Sequence, residues 1–92
     1  LKKLSLLRLN ANRIQYIPNS ISEMERLGEL DLESNRLIEI PTSIIQMKQL
    51  NNLLLRNNQI KHISKRHDEL PILHIKIDEQ TTYEESNSLI LY

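Results

Sequence analysis

Three histidines, His62, His67 and His74, stand close together in the sequence with Lys61, Lys65 and Arg66 among them. Imidazoles can ligate zinc, but the chain has no cysteine and this spacing matches no common zinc site, so the reading is against a metal. The basic groups Lys61, His62, Lys65, Arg66 and His67 could grip phosphate, nucleic acid or anionic lipid. They lack the interleaved aromatics of single-strand binders and read as a solvated loop. No serine sits in a nucleophile elbow or beside a glycine-rich oxyanion loop. Gly28 is the one glycine, which removes a phosphate-cradling loop. The residues argue against catalysis and against a cofactor.

The residues better placed to act together are spread along the chain. Leu6, Arg8 and Asn10 are followed 23 residues on by Glu29, Asp31 and Glu33, and again by Asn52, Leu54 and Arg56. One residue short of a further period stand His74, Lys76 and Asp78. These become one surface only if the chain returns to the same strand at each period, so that strands stack about 4.8 Å apart and equivalent residues form rows. Arg8 would then lie beside Asp31, Glu33 beside Arg56, and Arg56 beside Asp78. Such exposed pairs contribute about 0 to 1 kcal/mol each. An acidic column, Glu29, Asp31 and Glu33, would be flanked by Leu6 and Leu54, outward leucines that a merely solvated face does not require. The expected use is contact with another protein.

The elements that must position these residues are written in the period. Leu27 to Leu50, LGELDLESNRLIEIPTSIIQMKQL, falls on Leu4 to Leu27 or on Leu50 to Leu73 when shifted by 23. The alternation in LxxLxL predicts half-buried strands with Leu7, Leu30 and Leu53 inward, and likewise Leu9, Leu32 and Leu55. Strands one period apart run parallel, and the units stack because none buries its apolar edge alone. Asn12, Asn35 and Asn58 fall where the chain turns off the sheet. A short amide offers both donor and acceptor there and predicts a ladder between adjacent turns. Ile14, Leu37 and Ile60, then Ile17, Ile40 and Ile63, point back to the core. After Pro18 and Pro41 come Ser20-Ile-Ser-Glu23 and Ser43-Ile-Ile-Gln46, capping boxes that predict two short helices buried along Ile21 with Met24 and Ile44 with Met47.

The third unit departs from this outline. Ser64 takes the proline position, Arg66 the cap serine and His67 the buried isoleucine, so its helix is expected to be loose or shifted, with His67 partly exposed. Ile72, Ile75 and Ile77 fit LxxLxL only if one residue is deleted, and Gln80, a methylene too long, takes the asparagine position. The expected divisions are repeats at 4–26, 27–49 and 50–71, a degenerate repeat at 72–80, and a C-terminal cap at 81–92 in which Leu89 to Tyr92 form a closing strand. Nothing precedes Leu4, Leu7 and Leu9 to cover them. The expectation is a piece of a longer repeat protein, or an edge that self-associates.

The pattern LxxLxLxxNxLxxIPxxIxxMxxL, met by 4–27 and 27–50, closely resembles the 23-residue leucine-rich repeats of intracellular proteins. Among these are Ras-binding and scribble-like scaffolds and many bacterial repeat proteins. The resemblance covers residues 1 to about 80. It implies an α/β solenoid, a parallel sheet on its concave face and short helices on its convex side, most often used to bind another protein. Two other uses stay open: the substrate-recognition part of a larger enzyme, sensor or bacterial effector, and a self-assembling structural repeat. Charges balance at 12 basic and 12 acidic, which argues for neither nucleic acid nor an anionic membrane as partner. No apolar run approaches the roughly 20 residues that span a bilayer. The lack of cysteine favours a reducing compartment, the cytoplasm or, for a bacterial protein delivered to a host, the host cell.

Overall fold

The computed structural model describes residues 4–67 and 69–84. Its strands are each three residues long: β1 (Leu6–Arg8), β2 (Glu29–Asp31), β3 (Asn52–Leu54), β4 (His62–Ser64), β5 (His74–Lys76) and β6 (Thr82–Glu84). A 3₁₀ turn at Asn19–Glu23 and a helix α1 at Thr42–Ile45 complete the described elements. The architecture is α/β. One sheet is parallel, in the order β1-β2-β3-β5, and β4 and β6 make a second parallel pair.

The pairing follows the sequence period. Leu7 lies opposite Leu30, Leu30 opposite Leu53, and Leu53 opposite Ile75. Leu27, Leu30, Leu32, Leu37, Leu50, Leu53 and Leu55 are buried to within 1% of completely, as are Ile44, Ile45 and Ile63. Each such side chain contributes about 1.5–3 kcal/mol of transfer free energy. Leu7, Leu9 and Ile14, in the first coil, pack on this core but are only partly buried. The depth of burial therefore falls toward β1.

Strands β1, β2 and β3 each lead into a turn whose middle carries a left-handed residue: Ala11, Ser34 and Asn57 have φ of 59°, 58° and 65°. Next in sequence is the asparagine. Asn35 Nδ2 donates to Leu9 O at 2.9 Å and Leu32 O at 3.0 Å, while its Oδ1 accepts from Ile14 N at 3.0 Å. Asn58 repeats the set one coil on, donating to Leu32 O at 2.9 Å and Leu55 O at 3.1 Å and accepting from Leu37 N at 2.9 Å. Asn12 donates within its own coil, to Leu9 O and Asn10 O. The amides thus close turn and inter-coil bonds at once, which is what a buried turn needs.

Several expectations are corrected. The serines do not cap the helical turns: the N-caps are Pro18 and Pro41, without a side-chain cap bond. Proline needs no N–H at a helix start, and its fixed φ leads into the turn. Ser43 Oγ instead reaches Asn19 Oδ1 at 3.3 Å, and Gln46 reaches forward, its Nε2 donating to Lys65 O at 3.5 Å and its Oε1 accepting from His67 N at 3.4 Å. The third coil keeps the loosened turn expected of it: no helix is described at 65–67, and Leu70 N donates to His67 O at 3.1 Å where Met24 N and Met47 N donate to Ile21 O and Ile44 O in the earlier coils. Ahead of that turn, at the counterpart of residues 39–41, the chain forms the unexpected strand β4, held to β6 by Thr82 N donating to Lys61 O at 2.8 Å. Strand β6 pairs with it, His62 opposite Thr82 and Ile63 opposite Tyr83.

The deleted residue can be located. Gly28 N and Glu29 N both donate to Ser5 O, and Asn51 N and Asn52 N both donate to Gly28 O, whereas the fourth strand makes one such bond, His74 N to Asn51 O at 2.9 Å. The counterpart of Gly28 and Asn51 is missing. Leu73, partly buried against the core, therefore holds the place of Leu27 and Leu50, and Ile72, assigned there from sequence, is 78% exposed. Gln80 is exposed; the buried Thr81 donates through Oγ1 to Ile60 O at 2.8 Å, the carbonyl whose counterparts Ile14 O and Leu37 O accept from Arg36 N and Gln59 N. The closing strand expected at Leu89 to Tyr92 lies outside the described residues.

Candidate protein-interaction face

The outward side chains of the four-stranded sheet form the rows that the period requires. Leu6, Glu29, Asn52 and His74 are in register across the four strands, as are Arg8, Asp31, Leu54 and Lys76. Asn10, Glu33, Arg56 and Asp78 follow one alternation later, where the chain leaves the sheet. The inward neighbours Leu30 and Leu53 are fully buried and fix the outward direction of the residues beside them. Leu6 is exposed at 42%, while Leu54, between Asp31 and Lys76, is half-buried.

Electrostatics on this face differ from the expected lateral pairs. Among the described residues the ion pair is a diagonal one, Arg8 Nη2 to Glu29 Oε2 at 4.0 Å, with the Arg8 side chain 65% exposed. At that length and exposure it contributes little. Asp31 does not pair with Arg8, because its Oδ1 accepts from Glu33 N at 3.0 Å and closes its own turn. Asp78 does not serve Arg56 either. Its carboxylate accepts from Asn57 N, at 3.0 Å to each oxygen, and from Asn58 N at 3.4 Å. An anion suits that place because the turn leaves two N–H groups converging without a ladder partner. Asn52 Nδ2 donates to Glu29 Oε1 at 3.4 Å, tying the first row together. Asp31 and Asp78 thus shape the face, and Arg8, Glu33, Arg56 and Lys76 carry its charge outward.

The histidines do not come together as ligands. His62 is on β4, where its Nδ1 lies 2.8 Å from Thr82 Oγ1, His67 follows that strand, and His74 is on β5 of the other sheet. Among the described residues no group of three or more His, Asp or Glu is arranged to hold a metal ion. Nor is any described helix long and apolar enough to cross a membrane. The basic stretch is not wholly a solvated loop, since Arg66 turns back under the third coil, where Nη1 donates to Leu50 O at 2.8 Å.

Three exposed apolar residues escaped the pattern reading, Tyr16 at 73%, Ile38 at 64% and Tyr83 at 47%, and a fourth, Ile72 at 78%, was expected to point inward. Tyr16 and Ile38 follow the asparagine turns at positions that the period leaves variable, so no spacing marked them. Ile72 and Tyr83 line an open hollow with Leu70, Leu73 and Ile75 at the carboxyl-terminal end of the described residues. Comparison with protein-family models, with curated proteins and with solved structures returned no match.

Proposed function

We propose that this chain is a leucine-rich repeat solenoid and that the outward face of its four-stranded sheet binds another protein. The observation that carries the reading is the coincidence of period and register: outward residues 23, 23 and 22 apart in sequence lie side by side across β1, β2, β3 and β5. A surface assembled in that way is rigid before binding, so little ordering entropy is lost on contact. It offers Leu6 and Leu54 as apolar contacts and carries acidic charge on β2 between cations on either side. Arg is the residue type here most often dominant in interfaces, which makes Arg8 and Arg56 the expected anchors.

The test is capture from lysate on the immobilised chain, beside a variant carrying Arg8→Glu, Glu33→Lys and Arg56→Glu. Asp31 and Asp78 are spared because their carboxylates hold turns. A protein held by the parent and lost by the variant supports the face. An identical set on both refutes it.

A second reading, self-association along β1, is favoured by the partial burial of Leu7, Leu9 and Ile14 and by an Asn12 that bonds within its own coil. Light scattering over a concentration series tests it, since assembly must depend on concentration.

A further inference from the structure

Arg66 stands where the first two coils carry Ser20 and Ser43, and it does something neither serine does. Its Nη1 donates to Leu50 O at 2.8 Å and to Pro71 O at 2.9 Å, and its Nη2 donates to Met47 O. Burial lowers its pKa from the usual arginine value, and Nε is buried with no partner. Removing a guanidinium from water opposes folding unless strong acceptors meet it, and bonds from a charged donor are about twice as strong as neutral ones. Three carbonyls on two edges of a planar fork are a match that an ammonium cannot copy.

The acceptors identify what is being held. Met47 and Leu50 are on the approach to β3, and Pro71 is on the approach to β5. In the earlier coils the corresponding space is spanned by a helical turn, with Ile44 fully buried beneath α1. In the third coil no helix is described there, the turn being marked by the bond from Leu70 N to His67 O, and the strand that follows has lost one of its two entry bonds. Arg66 bridges the gap at that point.

We infer that Arg66 is a positioning residue that sets β5 against β3, and through β5 sets the fourth column of the sheet face, His74, Lys76 and Asp78. The positioning rests on the geometry alone. Its consequence for binding rests on the sheet-face reading above.

Hydrogen exchange resolved by residue, on the full chain, separates the two. Three amides bond between the third coil and the fourth: His74 N to Asn51 O, Leu55 N to Lys76 O, and Asn57 N to the Asp78 carboxylate. Two controls bond between earlier coils: Leu9 N to Asp31 O and Leu32 N to Leu54 O. In Arg66→Ala the first three are expected to exchange at least ~10-fold faster and the controls to change less than ~2-fold, local opening being separable from global unfolding. Arg66→Lys, which keeps the charge and the stem but not the fork, is expected between parent and Arg66→Ala. It provides the reading if the alanine variant does not fold. Equal acceleration at all five amides, or none at the first three, overturns the inference. For any protein captured by the sheet face, Arg66→Ala and Lys76→Glu are expected to weaken binding less together than the product of their separate effects, because both act through β5. Multiplying effects would overturn the link to binding. Loss of the sheet-face reading itself would leave the exchange result standing.

Discussion

Replacing Asn35 with alanine removes the amide that joins the first coil to the second. The amide of Asn35 bonds Leu9 O, Leu32 O and Ile14 N at 2.9–3.0 Å, and the residue is 8% exposed. An unsatisfied buried donor or acceptor costs about 1–3 kcal/mol. Leu32 O also accepts from Asn58 and Leu9 O from Asn12, so the group left without a partner is Ile14 N. That loss, together with the bond between the coils, gives an expected cost of about 1–3 kcal/mol. Asn12→Ala is the matched control. Its amide donates to two carbonyls of its own exposed turn, and the expected cost is about 0.5–1 kcal/mol. Urea unfolding followed by circular dichroism reads both. At a slope near 1 kcal/mol per molar, expected at the small end of the size range, Asn35→Ala should lower the midpoint by about 1–3 M and Asn12→Ala by less than about 1 M. Equal shifts would refute the ladder as an inter-coil device and reduce the asparagine to a local turn residue.

Other outcomes follow from the same geometry. Leu53→Ala, at a fully buried inward position, should cost about 2–5 kcal/mol in thermal melts, while the outward Leu54→Ala should cost under about 1 kcal/mol; the reverse order would put the register off by one. Ala11 holds a left-handed φ of 59° that costs an L-residue about 1–2 kcal/mol, so Ala11→Gly should raise the urea midpoint. Gly28 has no such need. A Cβ there would meet Ser5 O at 3.5 Å and Gln49 O at 3.7 Å, ordinary contact distances, and Gly28→Ala is expected to gain about 0.4–1 kcal/mol through the unfolded chain.

Periodicity made the parallel sheet, its rows and its inward leucines legible, because a side chain's direction on a strand depends only on its parity. The asparagines were legible as well, since one residue type at one turn position has few jobs. Where the repeat decayed, sequence reasoning fell short for a physical reason: a strand that forms by pairing with a segment outside the period leaves no mark in the period. The third helix loosened as the lost proline and serine suggested. Strand β4, ahead of it, rests on β6, which no spacing marked. Arg66 read as one more solvated cation because its acceptors are backbone carbonyls, which no side-chain pattern reveals. Charge pairs were misjudged for the same reason. Asp31 and Asp78 have backbone N–H groups within reach, and these win over a flexible arginine across a strand.

The most direct test of the sheet face is a calorimetric titration with a captured protein. It would be run against the parent, the face variant Arg8→Glu, Glu33→Lys, Arg56→Glu, and a second variant reversed off the sheet at the exposed Glu25, Glu39 and Lys48. The account predicts that the face variant loses at least ~10-fold in affinity, about 1.4 kcal/mol, while the off-sheet variant stays within about 2-fold of the parent. An off-sheet variant that loses as much as the face variant, or a face variant that binds as the parent does, would contradict it.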